Sequence, residues 1–160
     1  GYIEEWSDTR LVRDAHLGSI WEGTSNIVAL DVIRAIRREG SLDALTSHLQ
    51  ALMAASTSQM DHALHEALTM GLERARALAL KAAEPGADAL ARQAASALYH
   101  VTTAVAMVWE AAQLGSARRT QLARSVLTHR LMPIDPLAVE DTLFGDASNE
   151  WLAYPPAASA

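Results

Sequence analysis

The residues best suited to chemistry lie in the nine-residue segment Ser19–Ile27, which reads SIWEGTSNI. Glu22 stands there between Trp21 and Gly23. Apolar neighbours desolvate a carboxylate and raise its pKa, so Glu22 is a candidate general base. Gly23 has no Cβ and therefore lets a ligand or a second backbone come close. The segment is thus a candidate site for proton transfer.

Three small polar residues, Thr24, Ser25 and Asn26, follow at the predicted start of a long helix. The first amides of a helix are free donors and favour an anion such as a phosphate. A simpler interpretation is that Glu22 and Thr24 only cap the helix, because such caps are common. Spacing alone favours capping over catalysis and leaves the catalytic interpretation open.

The elements that must position this segment are predicted to be helices. A helix over 8–16 is expected to stop at Gly18, an extended turn to occupy 19–23, and a strongly amphipathic helix to run over 24–39 and end at Gly40. Further helices are predicted over 41–55, capped by Ser41, and over about 58–83, which the cluster Ser56-Thr57-Ser58 can cap. A long helix is predicted over 88–114, capped by Asp88; Gly115-Ser116 either kinks or ends it, and a helix follows to Pro133. Gly71, inside the helix predicted over about 58–83, suggests a close helix crossing.

The whole chain fits an all-α fold. It has 160 residues, half of them hydrophobic and only 5% aromatic, and no segment alternates with the period of a strand. We predict an antiparallel bundle of about five or six helices. The predicted parts are residues 1–40 with the Trp-Glu-Gly-Thr segment, an extended bundle over 41–133, and an irregular tail over 134–160.

Composition excludes several classes of site. The chain has no cysteine, which excludes disulfides, thiolate metal sites and a cysteine nucleophile. The net charge of −6 makes a polyphosphate-binding surface less expected. No apolar run approaches the roughly 20 residues that span a bilayer. The cytoplasm is taken as the default location. Because the chain begins with Gly1 and not methionine, we expect it to be part of a longer protein.

Other side chains have structural interpretations beside functional ones. His62, His65 and Glu66 have helical metal-ligand spacing, but a solvated helix face is the preferred interpretation, and no metal site is predicted. Arg118, Arg119, Arg124 and Arg130 gather on the last long helix, where a solvated or interhelical face is favoured over a nucleic-acid surface. The four tryptophans are predicted core or interface anchors: Trp6, Trp21, Trp109 and Trp151.

A set of short motifs, taken together, carries a family resemblance. Gly1-Tyr2, Glu4-Glu5, Arg10 to Ala15, Ile20 to Ile27 and Leu30-Asp31-Val32 follow one another in register. This pattern resembles the C-terminal helical domain of the flavin-dependent acyl-CoA dehydrogenases. The Trp before the Glu, and the Asn-Ile-Val-Ala-Leu-Asp sequence after the Glu-Gly-Thr-Ser motif, are similar to the AidB-type, adaptive alkylation-response branch.

The resemblance implies a role for each residue of the segment. Glu22 would be the base that removes a proton from the α-carbon of an acyl-CoA thioester, with hydride transfer from the β-carbon to the flavin. Gly23 would lie against the substrate, and Thr24, Ser25 and Asn26 would contact FAD. The implied parent is an oxidoreductase of fatty acid metabolism. This chain alone, lacking the rest of the flavin site, is expected to be inactive and to retain no FAD.

The same resemblance implies partners and alternatives. The implied partners are an acyl-CoA substrate, further copies of the chain in a dimer or tetramer, and an electron acceptor of unknown identity. One alternative is an AidB-type helical module in which Glu22 is vestigial and the arginine cluster contacts DNA or a partner protein. Another is a helical oligomerisation domain without catalysis.

Overall fold

The computed structural model describes residues 7–21 and 24–132, without the side chains of Asp8 and of residues 18–21. In this part of the chain there are six α-helices and no strand, which confirms the predicted all-α fold. The helices are α1 Ser7–Trp21, α2 Ser25–Glu39, α3 Ser41–Ala54, α4 His62–Ala82, α5 Ala91–Leu114 and α6 Ala117–Val126. Short 3-10 turns occupy Thr57–Gln59 and Asp88–Leu90, and a π-helical turn over Leu127–Leu131 continues α6.

The long helix α5 is the centre of the bundle and contacts α2, α3, α4 and α6. Its buried face repeats every three or four residues, as the apolar pattern predicts. Alanines make up much of the surrounding core on α4 and α5, and their small side chains let the helices approach closely. The central apolar residues of this face are Ala94, Leu98, Val101, Val105 and Val108.

Two glycines end helices where they were predicted to. Gly40 closes α2 with φ +63°, and Gly115 closes α5 with φ +62°. Side chains other than glycine rarely adopt this left-handed conformation, so glycine suits both positions. Gly18 behaves differently: α1 continues through it to Trp21, so the predicted stop and the extended turn at 19–21 are wrong. A glycine inside a helix costs only about 1 kcal/mol, which is too little to end one by itself.

Three predicted helix caps are also wrong. Gly40, not Ser41, is the N-cap residue of α3. The serine-rich cluster at 56–58 leads into a 3-10 turn, and Asp61 caps α4 through a hydrogen bond that its Oδ1 accepts from the Leu64 amide at 2.8 Å. Asp88 begins a 3-10 turn instead of capping α5, and its carboxylate pairs with a distant arginine.

That arginine is Arg37, in the last turn of α2. Its Nε donates to the carbonyl of Ala83 at 2.8 Å, and its Nη2 donates to the carbonyl of Glu84 and to Oδ1 of Asp88, each at 3.0 Å. The carbonyls at the end of α4 have no partner within their own helix, so an outside donor stabilises them. One guanidinium thus fixes the end of α2 to the α4–α5 connection.

Gly71 lies at a helix crossing, in agreement with the expectation. It is buried on α4, where an added Cβ would be 3.8 Å from the side chains of Leu127, Leu131 and Met132. This is ordinary van der Waals contact, so the crossing does not require glycine. Trp109 is 38% exposed and is not a core residue, contrary to one of its two predicted roles. The remaining tryptophan side chains and the predicted tail over 134–160 lie outside the described residues.

Candidate functional site

The two central residues of the candidate site lie outside the described part of the chain. Glu22 and Gly23 fall between the last residue of α1, Trp21, and Thr24, which immediately precedes α2. Their predicted roles as base and as substrate contact therefore stay predictions. The described neighbours show what kind of environment the adjoining helix offers.

The start of α2 is polar, exposed and not capped by a side chain. Thr24 has φ −68° and ψ 156°, an extended conformation, and its carbonyl accepts the hydrogen bond from the Val28 amide at 3.1 Å. Its hydroxyl makes no capping hydrogen bond, so Thr24 does not serve as the predicted side-chain cap. Thr24, Ser25 and Asn26 are all exposed.

This helix start has the chemistry that an anion needs. The first amides of α2 carry the positive end of the helix dipole, and two hydroxyls and one amide side chain stand beside them. No acidic side chain occupies the first turn of α2. A carboxylate there would repel a bound anion, so the residues present fit the pyrophosphate of a dinucleotide such as FAD.

An apolar groove of about 610 Å³ lies along the same helix. Val28, one turn after Thr24, lines it together with Val32. Arg119 and Glu110 stand at the groove as an ion pair, with Nε and Oε2 3.2 Å apart. A polar helix start beside an apolar groove suits a ligand or partner that combines an anionic part with an apolar part. The other apolar lining residues include Leu45, Leu98, Tyr99 and Met107.

The four arginines predicted on the last long helix do not form one surface. Arg119 pairs with Glu110 of α5, and Arg124 donates to Oδ2 of Asp61 at 2.7 Å. These two agree with the interhelical interpretation. Arg118 and Arg130 are exposed, and Arg130 faces a different groove.

That groove was not predicted, although it gathers three arginines. Arg74 of α4, Arg92 of α5 and Arg130 of the π-helical turn line a depression of about 800 Å³. We call this surface the arginine groove. Arg74 and Arg92 are separated by 18 residues in the sequence, and no local spacing connects them. Only the packing of α4 against α5 brings them together.

Neither resolved shift in pKa within the described structure belongs to the candidate site. The pKa of Asp61 is lowered, first by the hydrogen bond from the Leu64 amide and then by Arg124, against the opposing effect of burial. The pKa of His100 is lowered by burial and by the positive charge of Arg130. His62 and Glu66, the suggested metal pair, form an exposed contact of 3.8 Å, and no group of three potential metal ligands occurs among residues 7–21 and 24–132.

Comparison with known proteins supplies the context of the site. The chain is 30% identical over 118 residues to acyl-CoA dehydrogenase family member 11 of Caenorhabditis elegans, an alignment covering 71% of the chain and 19% of that protein. It is 43% identical over 47 residues to the putative acyl-CoA dehydrogenase AidB of Escherichia coli K12, covering 29% of the chain and 9% of that protein. No family model and no solved structure matches the chain.

These similarities confirm the resemblance to the acyl-CoA dehydrogenase family at the level of the family. The second similarity is short and supports the AidB-type branch only weakly. The chain spans less than a fifth of the length of either relative. None of the helices over 7–21 and 24–132 is long and apolar enough to cross a membrane.

Proposed function

We propose that this chain is the C-terminal helical part of an acyl-CoA dehydrogenase-like flavoprotein, which introduces a double bond between the α- and β-carbons of an acyl-CoA thioester. The similarity to two acyl-CoA dehydrogenases supports the reaction class. The exposed, uncapped start of α2 is the structural observation on which the assignment of the site depends. The parent protein is thus an oxidoreductase of fatty acid metabolism.

Glu22 is the base in this proposal. Its carboxylate takes the proton from the α-carbon of the thioester, a weakly acidic C–H group that needs a desolvated base held in place. Gly23, without a side chain, leaves room for the thioester beside the carboxylate. Both residues directly precede Thr24 in the sequence, so the start of α2 is the part of the described chain that follows them.

Thr24, Ser25 and Asn26 hold the cofactor. Their hydroxyl and amide groups, with the first amides of α2, would donate hydrogen bonds to the pyrophosphate of FAD. When bound, FAD supplies the acceptor for the hydride that leaves the β-carbon. The remainder of the FAD and acyl-CoA contacts belongs to the parent protein beyond this chain, so the isolated chain is expected to be inactive.

The test uses the flavin spectrum of the parent protein that carries this chain. We expect added acyl-CoA to bleach the flavin absorbance, and Glu22→Gln to slow the bleaching by about 10²–10⁴-fold while flavin stays bound. Glu39→Gln, at the far end of α2, removes the same charge and serves as the matched control. Bleaching at an unchanged rate in Glu22→Gln would remove Glu22 from the mechanism.

A second candidate function, association through apolar helix faces, has an observation of its own. Leu11 is 62%, Tyr99 66% and Leu114 70% exposed, which is high for large apolar side chains. Exposed apolar side chains of this kind fit the homo-oligomer that the resemblance implies. Sedimentation of the parent protein and of Leu114→Ser would test it, since removing an apolar contact should shift the oligomer towards smaller species. An identical distribution for both would exclude Leu114 from the interface.

A DNA-binding role has weaker support. Of the four arginines on the last helix, Arg119 and Arg124 are already in ion pairs, which leaves Arg118 and Arg130. Two phosphate contacts would give an affinity that falls with salt at a logarithmic slope of only about two. A steep slope in a titration of duplex DNA would favour this alternative over the enzyme.

A further inference from the structure

The arginine groove carries positive charge that the described part of the chain does not neutralise. Arg74, Arg92 and Arg130 are exposed and form no ion pair or hydrogen bond with any residue of that part. Arg76, two residues after Arg74, is in contrast paired with Asp43 at 3.0 Å. The three groove arginines therefore have their donors available for an anionic occupant.

The rest of the lining suits an extended polypeptide. Gln93 and Ser96 offer an amide and a hydroxyl for backbone groups, and Ala75, Ala97 and Leu78 give a shallow apolar floor. No carboxylate lines the groove. A chain segment with several carboxylates and some apolar side chains would complement both properties.

The chain itself contains such a segment. Residues 133–160 carry five carboxylates and no Lys, Arg or His, while the whole chain has a net charge of −6. Nearly all of the net negative charge is thus confined to this stretch. The five acidic residues are Asp135, Glu140, Asp141, Asp146 and Glu150.

The acidic segment begins beside the groove. Leu131 lines the groove, and the described chain ends at the next residue, Met132. Asp135 follows three residues later, within about 10 Å at full extension. Glu140 and Asp141 lie within about 30 Å of chain, which exceeds the roughly 12 Å that separate Ala89 from Ala97 along a helix.

We propose that the acidic segment 133–160 docks in the arginine groove of its own chain, with its carboxylates against Arg74, Arg92 and Arg130. Each exposed pair is weak by itself and is screened by salt. The short tether compensates, since it holds the carboxylates at an effective concentration in the millimolar range. Docking would also cover the apolar floor between α4 and α5.

Disulfide trapping tests the proposal directly, because the chain has no cysteine of its own. One variant combines Ser96→Cys in the groove with Ala138→Cys in the acidic segment. The matched variant combines Ala138→Cys with Gln113→Cys, an exposed position on the same helix about 25 Å farther along. In dilute full-length chain, we expect the intramolecular disulfide at Ser96 to form at least about tenfold faster.

Charge substitutions test whether attraction between the carboxylates and the arginines causes the faster disulfide formation at Ser96. Arg74→Gln, Arg92→Gln and Arg130→Gln together should remove most of that advantage, as should 0.5 M NaCl, whereas Arg118→Gln outside the groove should not. Asp135→Asn, Glu140→Gln and Asp141→Asn should have the same effect with every arginine left in place, which guards against misfolding of the arginine variant. Equal rates at the two cysteine positions overturn the proposal. Disulfide formation at Ser96 that stays faster after both sets of substitutions also overturns the proposal. Binding of added inorganic pyrophosphate to the groove would not rescue it in that case.

Discussion

The carboxylate of Asp61 joins two helices that are distant in sequence. Its Oδ1 accepts the hydrogen bond from the Leu64 amide at 2.8 Å, and its Oδ2 accepts one from Nη2 of Arg124 at 2.7 Å. The Arg124 side chain is only 13% exposed, so this pair is partly shielded from water. The same residue therefore starts α4 and holds α6 against it.

Replacing Asp61 should separate these two roles. Asp61→Ala removes the cap and the ion pair, and we expect the free energy of unfolding to fall by about 1–2 kcal/mol. Asp61→Asn keeps an oxygen that can cap the helix and should cost less than about 1 kcal/mol. Urea unfolding at pH 7 measures the difference. Equal losses in the two variants would mean that the cap contributes nothing.

The lowered pKa of Asp61 gives this stabilisation a pH dependence. Because the folded pKa lies below the ordinary value of 3.8, the contribution is present above that pH and is lost as the pH falls through the folded pKa. The difference in the free energy of unfolding between the unsubstituted chain and Asp61→Asn should therefore become smaller in acid. A difference that stays constant down to pH 2.5 would show that the ionised Asp61 carboxylate does not cause the stabilisation.

Replacing Arg37 by lysine should destabilise the chain. A lysine keeps the charge but cannot donate at once to the Ala83 and Glu84 carbonyls and to Asp88. We expect Arg37→Lys to lower the free energy of unfolding by about 1–2 kcal/mol, since several charge-assisted hydrogen bonds are lost. Arg38→Lys, next to it and exposed, should change stability by less than about 0.5 kcal/mol. Thermal denaturation of the two variants side by side gives the comparison.

Gly71 should be replaceable by a slightly larger residue. Its added Cβ would meet only ordinary contacts at 3.8 Å, and alanine favours the helix by about 1 kcal/mol, so Gly71→Ala should stabilise the chain by up to that amount. Gly86→Ala is the opposite case, because its φ of +82° is strained for alanine, and it should destabilise. A loss of stability in Gly71→Ala would contradict this expectation.

His100 should make the fold sensitive to mild acid. Burial and the charge of Arg130 lower its pKa below 6.5, so the folded state resists protonation more than the unfolded chain does. Its contribution to stability is complete above pH 6.5 and declines as the pH falls from there through the folded pKa. As the pH falls from 7.5 to 5.5, the free energy of unfolding should decrease less in His100→Gln than in the unsubstituted chain. His48→Gln, an exposed control, should follow the parent curve.

The sequence determined the helical class because helical periodicity is a local property. The apolar stripe of α5, the long helix after Thr24 and the glycine stops at Gly40 and Gly115 all depend on neighbouring residues, and each agrees with the structure. The motif around Glu22 likewise established the family resemblance, although Glu22 and Gly23 lie outside the described residues. Their chemistry stays a prediction based on the sequence.

Tertiary structure decided what depends on contacts between distant residues. The caps assigned to Ser41, to the cluster Ser56-Thr57-Ser58 and to Asp88 had reasonable local patterns. In the packed chain, Gly40 and Asp61 are the cap residues of α3 and α4, and Asp88 pairs with Arg37. The arginine groove has the same origin. Arg74, Arg92 and Arg130 are separated by 18 and 38 residues and meet only because α4, α5 and the π-helical turn pack together. Side chains far apart in sequence compete for the same partners, and only the folded chain determines which partner each one obtains.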